Sequence, residues 1–573
     1  MIFDPLSRTR RTWSKLLAWT FAVMGLTILA IWGLAPVKSA HLSDWPRIVW
    51  SSLDYSLRWW EYLARTASLR AFHHIDWQPF VHGSLSAVGI ATTLALLLAT
   101  GAVANEKNQY GESRYASPGD IKQMQLNGKL GPILGRAGGR YLKPVAPRSS
   151  LVLAPTRTGK TRGVVIPTIL TYPGSMIIID PKGELIDKTA GALRARGHAV
   201  HVVEWTNENS PSGWNLLGID LPRKETTLEI ALMRGAAMFY PKPENRGGEA
   251  DHWIDNARRN WTALAMFEVC EADREGRTPR LDLVATALMK FASIKQEEDS
   301  DPFGDMLRQI AKQAMMHGYP ARISDELLFF SNLHFKERSS HINTLVTGMQ
   351  LFRIKAVAAV TQRSDFSLAQ LRQRPTAIYI KFGQADAKAF GPLTAIFLES
   401  LFAWALDTPA GKKDQSVLVV GEEWASLPVI PLVFDALAKG NGMGLHLMIV
   451  LQELAQFKEK YKQEGVDQLI TNCTYLLAFT QANPYTAKTL TGLVGKTTRT
   501  KRTHSKQVDK FFGSTNVSQE GVPLIREEQW GEIPFGRLVV LAQQHYTRPI
   551  LCKAAFWDKD RHMSRLIKRG ARR

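Results

Sequence analysis

Short apolar runs recur after Glu106, at 151–154, 176–180, 200–203, 377–382, 417–420, 447–451, 475–479 and 538–541, with longer mixed segments between them. Runs of this length, rich in β-branched residues and lacking polar alternation, predict strands buried on both faces, as in a parallel sheet covered by helices. The expected fold class is therefore α/β, a doubly wound sheet alternating with helices. From 221 to 345 the pattern changes. Trp253, Ala257, Trp261, Leu264 and Phe267 fall three or four residues apart, which predicts an all-α domain inserted into the α/β domain, with Trp253 and Trp261 in its core. The Gly/Glu/Pro-rich stretch 241–248 reads as a loop near the start of that insert.

Two further apolar stretches, 16–35 and 80–104, carry no charged residue and are long enough to cross a hydrocarbon core of about 30 Å. Arg8, Arg10, Arg11 and Lys15 precede the first against only Asp4, whereas 37–79 holds five basic and four acidic residues. The positive-inside rule then places the N-terminus and everything after Ala104 in the cytoplasm, with 37–79 as a periplasmic loop. The expected organisation is a membrane anchor at 1–105, a nucleotide-binding domain in two parts at 106–220 and 346–558, the helical insert at 221–345, and a basic C-terminal tail at 559–573.

Composition narrows the partners. Hydrophobic residues make up 45% of the 573 positions, which supports large cores and argues against a disordered chain. Lys and Arg exceed Asp and Glu by 72 to 52, a net charge of +20 that suits a polyanion, either nucleic acid or an anionic membrane face. Cys270, Cys473 and Cys552 are far apart, so neither a disulfide framework nor a cysteine zinc site is indicated. The basic stretch 496–510 reads as a mobile loop able to follow a phosphate backbone, or equally as a solvated surface loop.

The chemistry centres on Ala154-Pro-Thr-Arg-Thr-Gly159-Lys160-Thr161, which follows the first cytoplasmic strand. In such a phosphate-binding loop the backbone N–H groups of Thr156, Arg157, Thr158, Gly159, Lys160 and Thr161 cradle phosphates. Lys160 reaches the outer phosphates and the Thr161 hydroxyl ligates Mg²⁺. Ala154 holds the place of the usual first glycine, which requires its φ to be negative. The complementary half is Val417-Leu-Val-Val-Gly421-Glu422-Glu423, a buried strand ending in carboxylates. Glu422 is expected in the Mg²⁺ shell, through a water or a retracted strand because of its extra methylene, and Glu423 is expected to orient the attacking water. Gln452, at the end of the next strand, is expected to sense the γ-phosphate, and Lys182 and Glu184 to couple nucleotide to movement.

These segments, with Gly111-Glu-Ser-Arg-Tyr-Ala116, Asp180-Pro-Lys-Gly-Glu184-Leu185, Trp214-Asn-Leu-Leu217, Ser364-Asp-Phe366, Gly442-Met-Gly-Leu445 and Thr486-Ala487, resemble the TraG-like type IV coupling proteins of bacterial conjugation and secretion. The resemblance implies a RecA-like P-loop fold with an inserted all-α domain behind two transmembrane helices, using ATP and Mg²⁺ and assembled as a homo-hexamer in the inner membrane. It implies that the chain hands ssDNA bound to a relaxase, or protein effectors, to type IV secretion channel components. The alternative is a nucleotide-binding effector receptor with little hydrolysis. A ring would draw an arginine from a neighbouring subunit, with Arg353, Arg363 and Arg499 as candidates. Ala154 is familiar in this family. Glu422 departs from its usual aspartate, and Trp214-Asn-Leu-Leu217 has leucine where the family commonly has an Asn-Pro step.

Overall fold

The computed structural model describes residues 110–571, apart from 243–248, 294–300, 384 and 506–513. The membrane anchor expected at 1–105 lies outside the described residues. Among those described, one helix, Ala387–Asp407, has the length and apolarity to cross a membrane. Leu393, Phe397, Leu401 and Phe402 on it are buried, as in the core helix of a globular domain.

All eight strand segments read from the apolar runs are strands, and five more join them. In chain order they are β1 (Gly135–Ala137), β2 (Arg140–Leu142), β3 (Ser150–Leu153), β4 (Ser175–Ile179), β5 (Ala199–Glu204), β6 (Thr376–Lys381), β7 (Val417–Gly421), β8 (Leu445–Leu451), β9 (Tyr475–Ala478), β10 (Lys496–Ser505), β11 (Ser514–Pro523), β12 (Arg537–Ala542) and β13 (Ile550–Lys553). The main sheet runs β2-β1-β13-β12-β9-β3-β8-β7-β4-β6-β5. From β9 to β5 every neighbour is parallel, while β12, β13, β1 and β2 pair antiparallel. The sheet is thus mixed and not wholly parallel, with β12 turning back against β9 and the short strands β13, β1 and β2 continuing the antiparallel edge.

Alternation along the central strands fills two cores. Leu151, Leu153, Ile177, Ile179, Val417, Val419, Leu447 and Ile449 enter one, and Val152, Met176, Ile178, Leu418, Val420, Met448 and Val450 enter the other. This is the period-two geometry of a strand buried on both faces. The helices between β5 and β6 extend from Glu225 to Thr361, with one more turn at Gln370–Gln373, beyond the expected 221–345 boundary at their end. Their buried residues, Trp261, Leu307, Leu327 and Leu345 among them, belong to the first of these cores. The helical segment therefore shares its apolar interior with one face of the sheet. Trp261 is buried as expected, but Trp253 is only half-buried and stands edge-on to His341, with ring centroids 4.4 Å apart.

Two segments differ from their sequence reading. The basic stretch from Lys496 is a strand to Ser505, paired antiparallel with β11 in a separate two-stranded sheet. Its alternating Thr residues give it the propensity for extended backbone that a charge-based reading overlooks. The stretch that reads as a basic tail is a helix, Arg561–Gly570, whose Met563, Leu566 and Ile567 pack into the second core. Its apolar residues are spaced three and four apart, so one stripe docks while the basic side chains stay outside.

Candidate nucleotide site

The phosphate-loop candidate leaves the sheet at the carboxyl end of β3. Ala154 N–H donates to Leu451 O at 2.9 Å, extending the ladder by one residue, and its φ is negative, so an alanine fits. Positive φ falls instead on Arg157 (63°) and Gly159 (90°). Arg157 pays a local conformational cost of about 1–2 kcal/mol at this exposed turn. Thr158 Oγ1 closes the loop by donating to Pro155 O at 2.8 Å. At Gly159 even an alanine methyl would approach the Phe556 ring to 2.9 Å, so backbone angle and space both demand glycine. A π-helical turn, Thr161–Val165, follows and runs into the helix Ile166–Thr171. The loop thereby delivers its N–H groups to a helix start, where anions bind.

Three further strand ends, those of β7, β8 and β4, bring side chains to this edge. The Thr161 hydroxyl lies 2.6 Å from Glu422 Oε1, directly after β7. Gln452, after β8, donates from Nε2 to Glu423 Oε1 at 3.3 Å, and Lys182 Nζ is 3.8 Å from Glu423 Oε2. Ile179 pairs with Gly421, so Asp180, after β4, is set at the strand end beside Glu422. The extra methylene of Glu422 does not hold its carboxylate away from Thr161.

Electrostatics follow from burial. Desolvation pushes the Glu422 carboxyl above its ordinary range, opposed by the Thr161 hydrogen bond and by Lys160 and Lys182. Desolvation lowers Lys160, opposed by Glu422 and Glu423. Asp180 is almost wholly buried and is pushed up to about 6 by desolvation, against the hydrogen bond its Oδ2 accepts from Ile186 N–H at 2.8 Å. Its Oδ1 has no hydrogen-bond partner among the described residues.

Thr156, Arg157, Thr158, Gly159, Lys160, Thr161, Glu422, Glu423, Gln452 and Lys182 thus lie at one sheet edge. Glu184 is exposed at the start of the helix Glu184–Ala195. Arg353 and Arg499 are exposed, while Arg363 is engaged within the chain by Ser210 O and Asp365.

Sequence reasoning missed one wall. Phe535 and Phe556 stack with centroids 5.6 Å apart at 20°, and Arg162 lies over the Phe556 ring at 4.7 Å while Nε donates to Asp558 Oδ1 at 2.7 Å. Phe535 is 65% exposed although it borders Gly159. The available signal was Pro534-Phe535-Gly536, an aromatic residue presented between two turn-formers.

A strand–loop–helix phosphate cradle after β3, with carboxylates at the end of the parallel strand β7, one strand (β8) away, and a ligand edge at the carboxyl ends, defines a P-loop α/β nucleotide-binding protein. Residues 117–571 match the family Type IV secretory system Conjugative DNA transfer, and the chain belongs to it as a type IV coupling protein of the TraG/VirD4 group. It is 26% identical over 501 residues to Protein VirD4 of Agrobacterium fabrum, covering 84% of this chain and 71% of that one. It is also 26% identical over 413 residues to the conjugal transfer protein TraG of Escherichia coli, covering 69% and 63%. Among solved structures, the plasmid coupling protein TrwB in complex with ADP and Mg²⁺ aligns with TM-score 0.56 and 18% identity over 78% of this chain and 95% of that one, which establishes a shared fold.

Proposed function

We propose that the chain is an inner-membrane receptor and ATP-driven motor that delivers relaxase-bound ssDNA, protein substrates or both to a type IV secretion channel. The observation that carries this reading is the meeting of Thr161 with Glu422 at 2.6 Å, beside Lys160 and the Glu423–Gln452 pair, in a chain of the conjugative DNA-transfer family.

The residues fit Mg²⁺ and a nucleotide. Thr161 and Glu422 supply hard oxygen donors suited to Mg²⁺, and at the adjoining strand end the buried Asp180 Oδ1 has no partner among the described residues. Bound MgATP would supply the phosphoanhydride and the charge neutralisation of its cleavage. The chain's own groups do the rest. Loop N–H groups and Lys160 hold phosphates, Glu423 orients a water, and Gln452 and Lys182 fix the Glu423 carboxylate. The exposed face of Phe535 provides a stacking platform for the base. TrwB has been solved with ADPNP and with a GTP analogue. The hairpin β10–β11 would meet nucleic acid, and Arg353 or Arg499 would reach a neighbouring subunit's site in a ring.

Steady-state ATPase of the detergent-solubilised full chain, with and without ssDNA, tests the reading. DNA-stimulated turnover that disappears in Lys160→Ala is expected. Nucleotide binding without turnover would instead establish the effector-receptor alternative.

A further inference from the structure

The helical segment holds a second group of converging donors, remote in sequence from the nucleotide loop. His252 stands in the first turn of the helix Glu249–Glu275, and Glu337 and His341 lie four residues apart on one face of the helix Phe335–Met349. Glu337 Oε1 is 3.8 Å from His252 Nε2 and 3.6 Å from His341 Nε2, and the three ligand atoms all fall within 4.8 Å of one another. Both imidazoles turn the same nitrogen inward. The Asn256 amide marks the direction of those lone pairs, with Nδ2 3.0 Å from His252 Nε2 and 3.4 Å from His341 Nε2.

The geometry points to a site for a divalent transition metal, Zn²⁺ by its chemistry, clamping these two helices together. A tetrahedral ion bound at about 2.0–2.1 Å holds its ligand atoms roughly 3.3 Å apart. Bringing atoms that lie within 4.8 Å to that spacing takes a contraction of up to about 1.5 Å, with the Asn256 amide turning away from the two nitrogens, and the exposed His252 can supply the movement by side-chain rotation. Two imidazoles and one carboxylate select Zn²⁺ or its neighbours over Mg²⁺ and Ca²⁺, which prefer an all-oxygen shell. His341 is buried and braced by Trp253 and Phe330, whereas the His252 side chain is 60% exposed. The fourth position therefore opens on the solvent side, to a water or to a donor from another protein. The site serves no step of nucleotide hydrolysis, so it stands or falls independently of the motor reading.

The test uses the full chain without a polyhistidine tag, stripped with chelator and held in excess Mg²⁺, with Zn²⁺ titrated against a chromophoric chelator. One Zn²⁺ per chain is expected, with binding weakened at least about 100-fold in His252→Ala and in Glu337→Gln, the upper range seen for second-shell losses. Because His252 is exposed, His252→Ala is expected to unfold at the wild-type temperature in chelator and to lose the Zn²⁺-induced rise in Tm. Co²⁺ is expected to give the intense visible absorption of a four-coordinate ion in wild type only. Equal Zn²⁺ affinity in wild type and His252→Ala, including binding traced to the three cysteines by thiol alkylation, would overturn the proposal.

Discussion

The Thr161 hydroxyl donates to Glu422 Oε1 across 2.6 Å, joining the loop after β3 to the end of β7, although the two residues are 261 positions apart in sequence. Glu422 is only 6% exposed, so this hydroxyl is part of what makes a carboxylate tolerable there. Thr161→Ala is expected to lower stability by about 1–3 kcal/mol by leaving the carboxyl unsatisfied. In a Glu422→Gln background the same change is expected to cost less. Chemical denaturation of the four species in a double-mutant cycle measures the coupling. Glu422→Gln alone is expected to reduce ATP turnover by about 100-fold or more while the chain stays folded.

Phe535 exposes most of its surface beside Gly159, so truncating it should barely disturb the fold. Phe535→Ala is expected to change stability by less than about 0.5 kcal/mol. Its nucleotide affinity is expected to fall by about 1–3 kcal/mol, the range for base–aromatic stacking. ATP and GTP should weaken together and inorganic triphosphate should not weaken at all. Isothermal titration with the three ligands makes that comparison.

Arg499 and Lys501 are two residues apart on β10 and therefore share a face of the hairpin. If that face meets single-stranded DNA, each side chain displaces counterions from the backbone. The double variant Arg499→Ala/Lys501→Ala is expected to bind ssDNA more weakly whatever its sequence. Its slope of log K against log salt should be shallower by about 1.4, roughly 0.7 per lost contact. Fluorescence anisotropy across a salt series reads this slope, and an unchanged slope would remove the hairpin from the DNA path.

His446 sits within β8, where its Nδ1 lies 3.0 Å from Asn441 Oδ1. Desolvation lowers it to about 3, with Arg148 and Arg372 adding to the effect. The unfolded chain therefore takes up this proton before the folded one does. The corresponding stability is complete above about pH 6.5 and is lost as pH falls toward 3. Between pH 6.5 and 5 the loss through this one group is about 2 kcal/mol. Urea denaturation of His446→Gln at pH 7.5 and pH 5 is expected to show that much less acid sensitivity than wild type.

The central strands were readable because each is a short run such as Ile177–Ile179 or Val417–Val420, buried on both faces and unmistakable as hydropathy. The loop and the carboxylate pair were readable for a related reason, since phosphate and Mg²⁺ chemistry restricts residue type and spacing within a few positions. What escaped depended on contacts between distant segments. Nothing local distinguishes Phe535 from a surface aromatic until Phe556 and Gly159 are beside it. The convergence of His252, Glu337 and His341 likewise arises only when two helices pack. In the basic stretch from Lys496, charge masked a β-forming Thr pattern. In the C-terminal helix the apolar stripe of Met563, Leu566 and Ile567 was hidden among arginines.

Gly111 adopts φ +136° with its carbonyl accepting from Thr498 N–H at 3.1 Å, and Ser113 N–H donates to Lys496 O at 3.2 Å. An alanine methyl at Gly111 would collide with the Lys496 carbonyl, so the contact is backbone against backbone. The polypeptide arriving from the N-terminal 109 residues is thus stitched first to the root of the hairpin and not to the nucleotide loop. A pull applied at Tyr110 would therefore reach the hairpin's base first, making β10–β11 the element that takes up the load among the described residues.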